Sequence, residues 1–292
     1  MTAISLPDII LNALDNGAAL LLSCSGGKDS DAMSYRLLEE KRIRGWYGET
    51  LIIHADLGRM ERTETPAYVE SFANLLDLEL VVVRHPKYDL LEGFRQRMLK
   101  LREEDKDAPP FSSIANRYCT SDWKREPISK FIRNYFPENI TVVCAMGLRA
   151  EESPARAKRP IVALRPGTQA PTKGRIVYDW NPIHQWKLAQ VWWAIRQYGN
   201  IYHPAYDANN ERVGNDRLSC GMCILGCVSD QRNGAYDRPE TYQALVDIEL
   251  ESGFSFQENR PLFNVAPELL REDQLALIAE IKAQTPQQRS LF

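Results

Sequence analysis

Ala18-Ala19-Leu20-Leu21-Leu22-Ser23 runs straight into Cys24-Ser25-Gly26-Gly27-Lys28-Asp29-Ser30, and the reading of this junction decides the fold. The apolar run is short and uninterrupted, as a strand buried on both faces would be. Residues 29–41 then read as a helix, with Met33 and Leu37 one turn apart on the same side. Between the two, Gly26 and Gly27 carry no Cβ, so backbone N–H groups can turn inward and meet an anion at close range. The new helix adds free N–H groups and a positive dipole end. Ser25 and Ser30 supply hydroxyls and Lys28 a cation. A plain strand-to-helix turn needs one glycine and no particular hydroxyls, whereas a phosphate cradle accounts for the whole set.

Outward from the loop, strand-like and helix-like stretches alternate. Residues 51–54 read as a second strand ending at Ala55-Asp56-Leu57-Gly58, residues 65–76 as a helix, 80–83 as a third strand and 90–101 as a helix. Residues 102–110 are charged and end in two prolines, which marks a surface loop. Ser121 or Asp122 can cap a helix running to Asn134, and 141–146 form a fourth strand ending at Gly147-Leu148-Arg149. The alternation predicts an α/β fold with a doubly wound, mainly parallel sheet. Two short runs, 161–164 and 176–179, flank a Gly- and Pro-containing loop and are expected to pair. A Trp-rich helix over 187–198 follows, with Leu188, Val191, Trp192 and Ile195 as its apolar stripe. At the other end, Ile9 with Ala13 and Ile10 with Leu14 pattern an amphipathic helix that Gly17 stops. The expected division is a phosphate-binding core over 1–185 and a C-terminal helical region with a cysteine cluster over 186–292.

The chain has 292 residues, 44% hydrophobic and 26% charged, the composition of an ordinary globular protein. No run approaches the ~18–20 apolar residues a membrane-spanning helix needs. No basic segment precedes the first apolar residues, so no secretory signal is expected. A net charge of −3 excludes general electrostatic capture of nucleic acid. The one basic strip holds Arg149, Arg156, Lys158, Arg159, Arg165, Lys173 and Arg175, and reads equally as a solvated loop or a phosphate contact. Of six cysteines, three crowd into Cys220, Cys223 and Cys227. Without a secretion signal this spacing points to a reduced, cytoplasmic, metal- or cluster-binding protein rather than a disulfide framework.

The phosphate loop is not of the Walker type, whose Gly-Lys pair follows four spacer residues and precedes Ser or Thr. It resembles the PP-loop of ATP pyrophosphatases, in which Ser-Gly-Gly-Lys-Asp-Ser grips the β,γ-pyrophosphate. Three further stretches narrow the resemblance to the phosphoadenylylsulfate (PAPS) reductase-like family: His54-Ala55-Asp56-Leu57-Gly58; Arg117-Tyr118-Cys119-Thr120 with Lys124 and Pro127; and Gly147-Leu148-Arg149-Ala150-Glu151-Glu152-Ser153-Pro154-Ala155-Arg156. The resemblance covers roughly the first 160 residues and implies the adenine nucleotide alpha hydrolase-like fold. It implies cleavage of ATP to AMP and pyrophosphate, with magnesium bridging the phosphates, and transfer of the adenylyl group to a substrate oxygen. Ser25, Gly26, Gly27, Lys28, Asp29, Ser30, Asp56, Gly147 and Arg149 would then bind the nucleotide. Lys28, Asp29, Asp56, Arg149 and Arg156 would be catalytic, with Lys124 a further cation. The plain alternative is that Arg149 and Arg156 merely pair with Glu151 or Glu152. Cys24 and Cys144 read as small buried residues. The catalytic cysteine that true sulfonucleotide reductases carry near the C-terminus has no counterpart in 284–292, so reduction is not the expected reaction.

Cys220-Gly221-Met222-Cys223 and Cys227 place three thiols within reach of one centre. On the family resemblance Cys119 is the fourth candidate, with His203 a lesser substitute. An iron–sulfur cluster of the 4Fe-4S type and a structural zinc both suit four thiolates. The composite resembles the ATP-pyrophosphatase component of bacterial DNA phosphorothioation systems of the Dnd or Ssp type. That implies DNA reached through a partner complex and a cysteine desulfurase as sulfur donor, with no membrane association. An enzyme acting on a small sulfonucleotide-like anion, and a non-catalytic module binding ATP and a cluster, are the alternatives.

Overall fold

A computed structural model describes residues 2–208, 214–218 and 220–283. The chain divides into two compact units, each drawn from three separated stretches. The first takes the described residues up to Asp56, Glu64–Val83 and Arg125–Pro204; the second takes Leu57–Thr63, Arg84–Lys124 and the described residues from Ala205 on.

The first unit is built on a six-stranded sheet. Its strands are β1 (Ala19–Ser23), β2 (Thr50–Asp56), β3 (Glu79–Arg84), β4 (Thr141–Met146), β5 (Val162–Leu164) and β6 (Ile176–Trp180), in the order β3-β2-β1-β4-β6-β5. β1 pairs parallel with β2 and β4, and β4 pairs parallel with β6. β5 runs antiparallel to β6, with Val162 opposite Trp180. This is the mainly parallel, doubly wound sheet that the alternation predicts. The two short runs do pair, and β6 also extends the parallel sheet beyond β4.

The uninterrupted apolar run of β1 is explained by burial on both sides. Leu20 and Leu22 face one core, with Ile10 and Leu14 of α1 (Asp8–Asp15), Met33 and Leu37 of α2 (Lys28–Arg44), Val69 and Phe72 of α3 (Thr65–Leu75), and Val191 and Ile195 of the helix Leu188–Gln197. Ala19 and Leu21 face the other, with Ile128 and Ile132 of the helix Glu126–Tyr135, and with Val142, Cys144 and Val177. Gly17 closes the turn after α1 at φ +80°, a backbone angle that favours glycine. The expected stripe of the Trp-rich helix needs one correction. Leu188 is its first residue and 42% exposed, while Ala194 takes the buried place.

The sheet order puts β1 between two directions of winding: β2 and β3 lie to one side, β4 and β6 to the other. Open α/β sheets bind ligands at such a switch point, beyond the carboxyl ends of the strands. The loops leaving β1 and β4 both lie there.

The second unit is helical, with α4 (Leu90–Glu103) and the helices Val228–Asp237, Pro239–Ser252 and Glu272–Ala283. Its core is aromatic-rich, holding Phe94, Phe111, Tyr118, Trp123, Tyr242, Phe256 and Phe263. Residues beyond Val228, which carry no functional motif in the sequence, supply much of this core. Cys220, Cys223 and Cys227 therefore belong to a unit that also includes Leu57–Thr63 and Arg84–Lys124, rather than to a purely C-terminal appendage. No helix among the described residues is long and apolar enough to cross a membrane.

Candidate functional site

β1 ends at Ser23, and the next four residues form the loop before α2 begins at Lys28. Gly26 sits at φ +72°, and Gly27 is the extended N-cap, so the first-turn N–H groups of α2 have no side-chain cap. That is the arrangement that leaves backbone donors for an anion. Ser30 Oγ donates to the Gly27 carbonyl at 2.7 Å, and the Ser25 N–H points at Ser30 Oγ from 3.4 Å, which closes the loop on itself. Lys28 is buried, with Nζ 3.7 Å from Asp29 Oδ2.

Three neighbouring segments hold the loop. His54 of β2 is buried and hydrogen-bonds the Cys24 carbonyl through Nδ1 at 2.9 Å. The histidine of the His-Ala-Asp-Leu-Gly stretch thus fixes the exit of β1, and Asp56 is the last residue of β2. Gly147, after β4, is a second constraint. A Cβ there would lie 2.6 Å from the Asp29 carbonyl carbon and 2.7 Å from the Ser30 nitrogen, so only glycine lets the β4 loop pass the first turn of α2. Arg149 is the third: its Nε donates to Asp29, and its Nη1 donates to Glu151 Oε2 at 2.7 Å. At 4% exposure this is a buried pair with Asp29, not a surface one. Arg156 pairs with Glu152, whose carboxylate also accepts the Arg149 N–H at 3.1 Å.

The structure thus brings Ser25, Gly26, Gly27, Lys28, Asp29, Ser30, Gly147, Arg149 and, through Glu152, Arg156 into one constellation at the switch point. The rest of the basic strip divides. Arg165 is buried against Asp179 and Ser129, and Arg175 donates to the carbonyls of Thr168, Arg133, Phe136 and Pro137. Those two guanidiniums hold the fold, which leaves Lys158, Arg159 and Lys173 exposed.

Sequence reasoning missed Asp31 and Tyr68. Asp31 is fully buried in the first turn of α2 and accepts a 2.8 Å hydrogen bond from the Tyr68 hydroxyl of α3. No local signal links two residues 37 positions apart. Cys24 and Cys144 are buried as expected, and burial pushes both thiols up, Cys144 to about 12.

The second unit holds the remaining thiols. Cys220 is hydrogen-bonded with Cys223, and that bond and burial hold its thiol well above the ordinary range; Cys119 and Lys124 are close enough to act on it electrostatically. Cys227 faces elsewhere: it caps the helix Val228–Asp237, its Sγ accepting the Asp230 N–H at 3.5 Å and lying 3.1 Å from Ser229 Oγ. Gly221 donates to the Met60 carbonyl at 2.7 Å, and its own carbonyl passes where a Cβ on Gly234 would stand, 2.0 Å away. Among the described residues, no three His, Cys, Asp or Glu side chains are arranged to hold a metal ion. The donor chemistry of Cys119, Cys220 and Cys223 beside Lys124 nevertheless fits a thiolate-ligated centre. Cys227 would first have to leave its capping position. His203 is buried in the first unit, with Nε2 3.1 Å from Thr65 Oγ1.

The family model for the phosphoadenosine phosphosulfate reductase domain matches residues 19–223. A curated relative, an uncharacterized protein of Methanocaldococcus jannaschii, is 28% identical over 243 residues, which is 82% of this chain and 50% of that protein. The chain therefore spans about half the length of that relative. Among solved structures, the chain is similar to Candida glabrata FMN adenylyltransferase, solved with FMN and an ATP analogue. That likeness has a TM-score of 0.42 and 15% identity, and covers 72% of this chain and 60% of the other. It is also similar to a tRNA thiolase of Methanococcus maripaludis, solved with its 4Fe-4S cluster, at a TM-score of 0.41 and 15% identity over 89% of this chain and 84% of the other.

Proposed function

This chain belongs to the phosphoadenosine phosphosulfate reductase domain family, and on that footing we propose that it is an AMP-forming ATP pyrophosphatase. The observation that carries the reading is the uncapped start of α2 behind Gly26 and Gly27, with Lys28 buried beside it. The β,γ-pyrophosphate lies on these N–H groups and against Lys28, Ser25 and Ser30. A substrate oxygen attacks the α-phosphorus, the bond from that phosphorus to the α,β-bridging oxygen breaks, and pyrophosphate leaves with the bond's electron pair. The loop's fixed donors stabilise the charge that develops on the departing pyrophosphate. Arg149 positions the first turn of α2 through Asp29, and Arg156 holds Glu152, which in turn anchors Arg149. Asp56, at the end of β2, is assigned to the nucleotide side. Magnesium, when bound with ATP, would supply further charge neutralisation.

The finer reading is that the adenylylated oxygen is exchanged for sulfur, in the manner of DNA phosphorothioation. Support comes from the motif order in the first 160 residues and from the thiols of the second unit. Cys119, Cys220 and Cys223, with Cys227 once released from its helix, would hold a 4Fe-4S cluster or a zinc ion. A cluster offers sulfur and redox chemistry, and zinc offers structure. DNA would be reached through a partner complex, with a cysteine desulfurase supplying sulfur. A small sulfonucleotide-like substrate is the second reading, favoured by the family's own name.

Incubation with α-labelled ATP and magnesium tests the main reading. AMP and pyrophosphate are expected, with loss of at least a hundredfold in Lys28→Ala. ADP and phosphate as products would overturn it. Sulfur incorporated into DNA in cells, and lost in Cys223→Ser, separates the phosphorothioation reading from the small-substrate one.

A further inference from the structure

Beside Ser30 lies a buried carboxyl, Asp31, that the proposed chemistry does not use. Asp31 is fully buried, one residue past the Ser-Gly-Gly-Lys-Asp-Ser stretch. Its Oδ2 accepts from the Tyr68 hydroxyl at 2.8 Å; its Oδ1 lies 3.2 Å from Ser30 Oγ and 3.9 Å from Cys24 Sγ. Tyr68 is itself fixed, stacked on Phe72 at 6.1 Å and packed on the buried His203 ring at 5.0 Å. Ser30 has one hydroxyl hydrogen for two acceptors, the Gly27 carbonyl at 2.7 Å and Asp31 Oδ1 at 3.2 Å.

We propose that Asp31 is a positioning residue for the pyrophosphate end of ATP, holding Ser30 Oγ from beneath so that the Ser30 hydroxyl hydrogen is presented to a phosphate oxygen. The inference rests on the loop being the ATP site. It follows from counting hydrogens. As a neutral carboxyl, Asp31 donates from Oδ1 to Ser30 Oγ and still accepts from Tyr68 at Oδ2. Ser30 is then free to swing its hydrogen from Gly27 to the ligand without losing its anchor. As a carboxylate, Asp31 competes with the ligand for that hydrogen and adds a negative charge beneath an anion. Burial favours the neutral form, pushing Asp31 up to about 7, while the hydrogen bonds from Tyr68 and Ser30 act against it. The other titratable groups facing it are Asp29 and Tyr35 on α2 and Cys24 after β1, and Asp29 is itself paired with Arg149. The form that binds holds the proton, so affinity is full below about pH 7 and declines up to tenfold per pH unit above it.

Calorimetric titration of the full chain with inorganic pyrophosphate, from pH 6 to 9 and in buffers of different ionisation enthalpy, tests this. Wild type is expected to take up a proton on binding at pH 8. Asp31→Asn, whose amide donates to Ser30 and accepts from Tyr68 at every pH, should bind with the pH 6 affinity of wild type throughout and take up none. Tyr68→Phe removes a bond that favours the carboxylate, and should move the loss of affinity to higher pH. In ATP turnover these effects should fall on KM, with kcat changed less than threefold. An Asp31→Asn protein that folds but keeps the wild-type pH slope overturns the proposal while leaving the ATP site standing. Absence of pyrophosphate and ATP binding in wild type overturns both.

Discussion

At the scale of single residues, the site depends on close approaches that tolerate no added atom. Gly147→Ala puts a methyl group into the Asp29 backbone at 2.6 Å, and something must move. The expected cost is about 1–3 kcal/mol, together with a raised KM for ATP, since the displaced atoms belong to the first turn of α2. Thermal melts and steady-state kinetics on the same preparation check both. Arg149→Ala removes the buried guanidinium that pairs with Asp29, whose side chain is 17% exposed. Asp29 keeps Lys28 at 3.7 Å, so the loss is expected at about 1.5–3 kcal/mol, visible in denaturant midpoints. Arg156→Ala removes a pair whose arginine is 25% exposed, and Glu152 keeps the Arg149 backbone N–H at 3.1 Å, so a smaller loss of about 1 kcal/mol is expected. A larger loss for Arg156 than for Arg149 would contradict this order. The residue types Lys28, Arg149 and Arg156 are plain in the sequence. Which arginine is buried against Asp29 is not, because Asp29 and Arg149 meet across 120 positions.

At the scale of elements, buried side chains tie loops to helices in both units. Glu249, fully buried in the helix Pro239–Ser252, accepts the Phe256 and Leu262 N–H groups at 2.7 Å through Oε1 and the Phe263 N–H at 3.2 Å through Oε2. Burial pushes its carboxyl up to about 7 despite these three donors. Its folded-state value is therefore raised, so the stability it contributes is full below the ordinary value of 4.5 and falls as pH rises through about 7. The span corresponds to roughly 3 kcal/mol. Glu249→Gln keeps an oxygen for the two short bonds and has no charge to lose. Urea melts at pH 5 and pH 8 should show a smaller difference for it than for wild type. Arg175 plays a similar part in the first unit, bridging four carbonyls around the end of the helix Glu126–Tyr135. Lysine has no planar fork to do this, so Arg175→Lys should cost about 1–3 kcal/mol. The strands were legible because apolar runs bounded by turn residues have few other uses. The basic strip was not: an arginine that joins carbonyls from distant segments reads the same in sequence as one exposed to a ligand.

At the scale of the whole molecule, the phosphate loop and the thiols are held by separate cores. Cys220→Ser with Cys223→Ser should abolish bound iron or zinc, measured by metal analysis and anaerobic absorption spectra. The rate of AMP formation from ATP alone should change less than twofold. Loss of that half-reaction in a folded variant would show that the thiols serve ATP cleavage itself. The sequence suggests a linear boundary near residue 185, whereas each compact unit is assembled from three separated stretches. Residues 57–63 and 84–124 carry motifs that look continuous with the phosphate-binding half, and their membership in the helical unit has no local signature. What the sequence by itself determined is the strand–loop–helix junction at 18–30, the doubly wound sheet and the family, because periodicity and glycine placement act over a few neighbouring residues. What only the tertiary structure decided is Asp31 beneath the loop, Gly147 against Asp29, the sorting of arginines into site and scaffold, and Cys227 turned to cap a helix. The first three are fixed by burial, close approach and hydrogen bonding between segments that only folding brings together, whereas Cys227 is turned by its own helix start, where Asp230 lies three residues on.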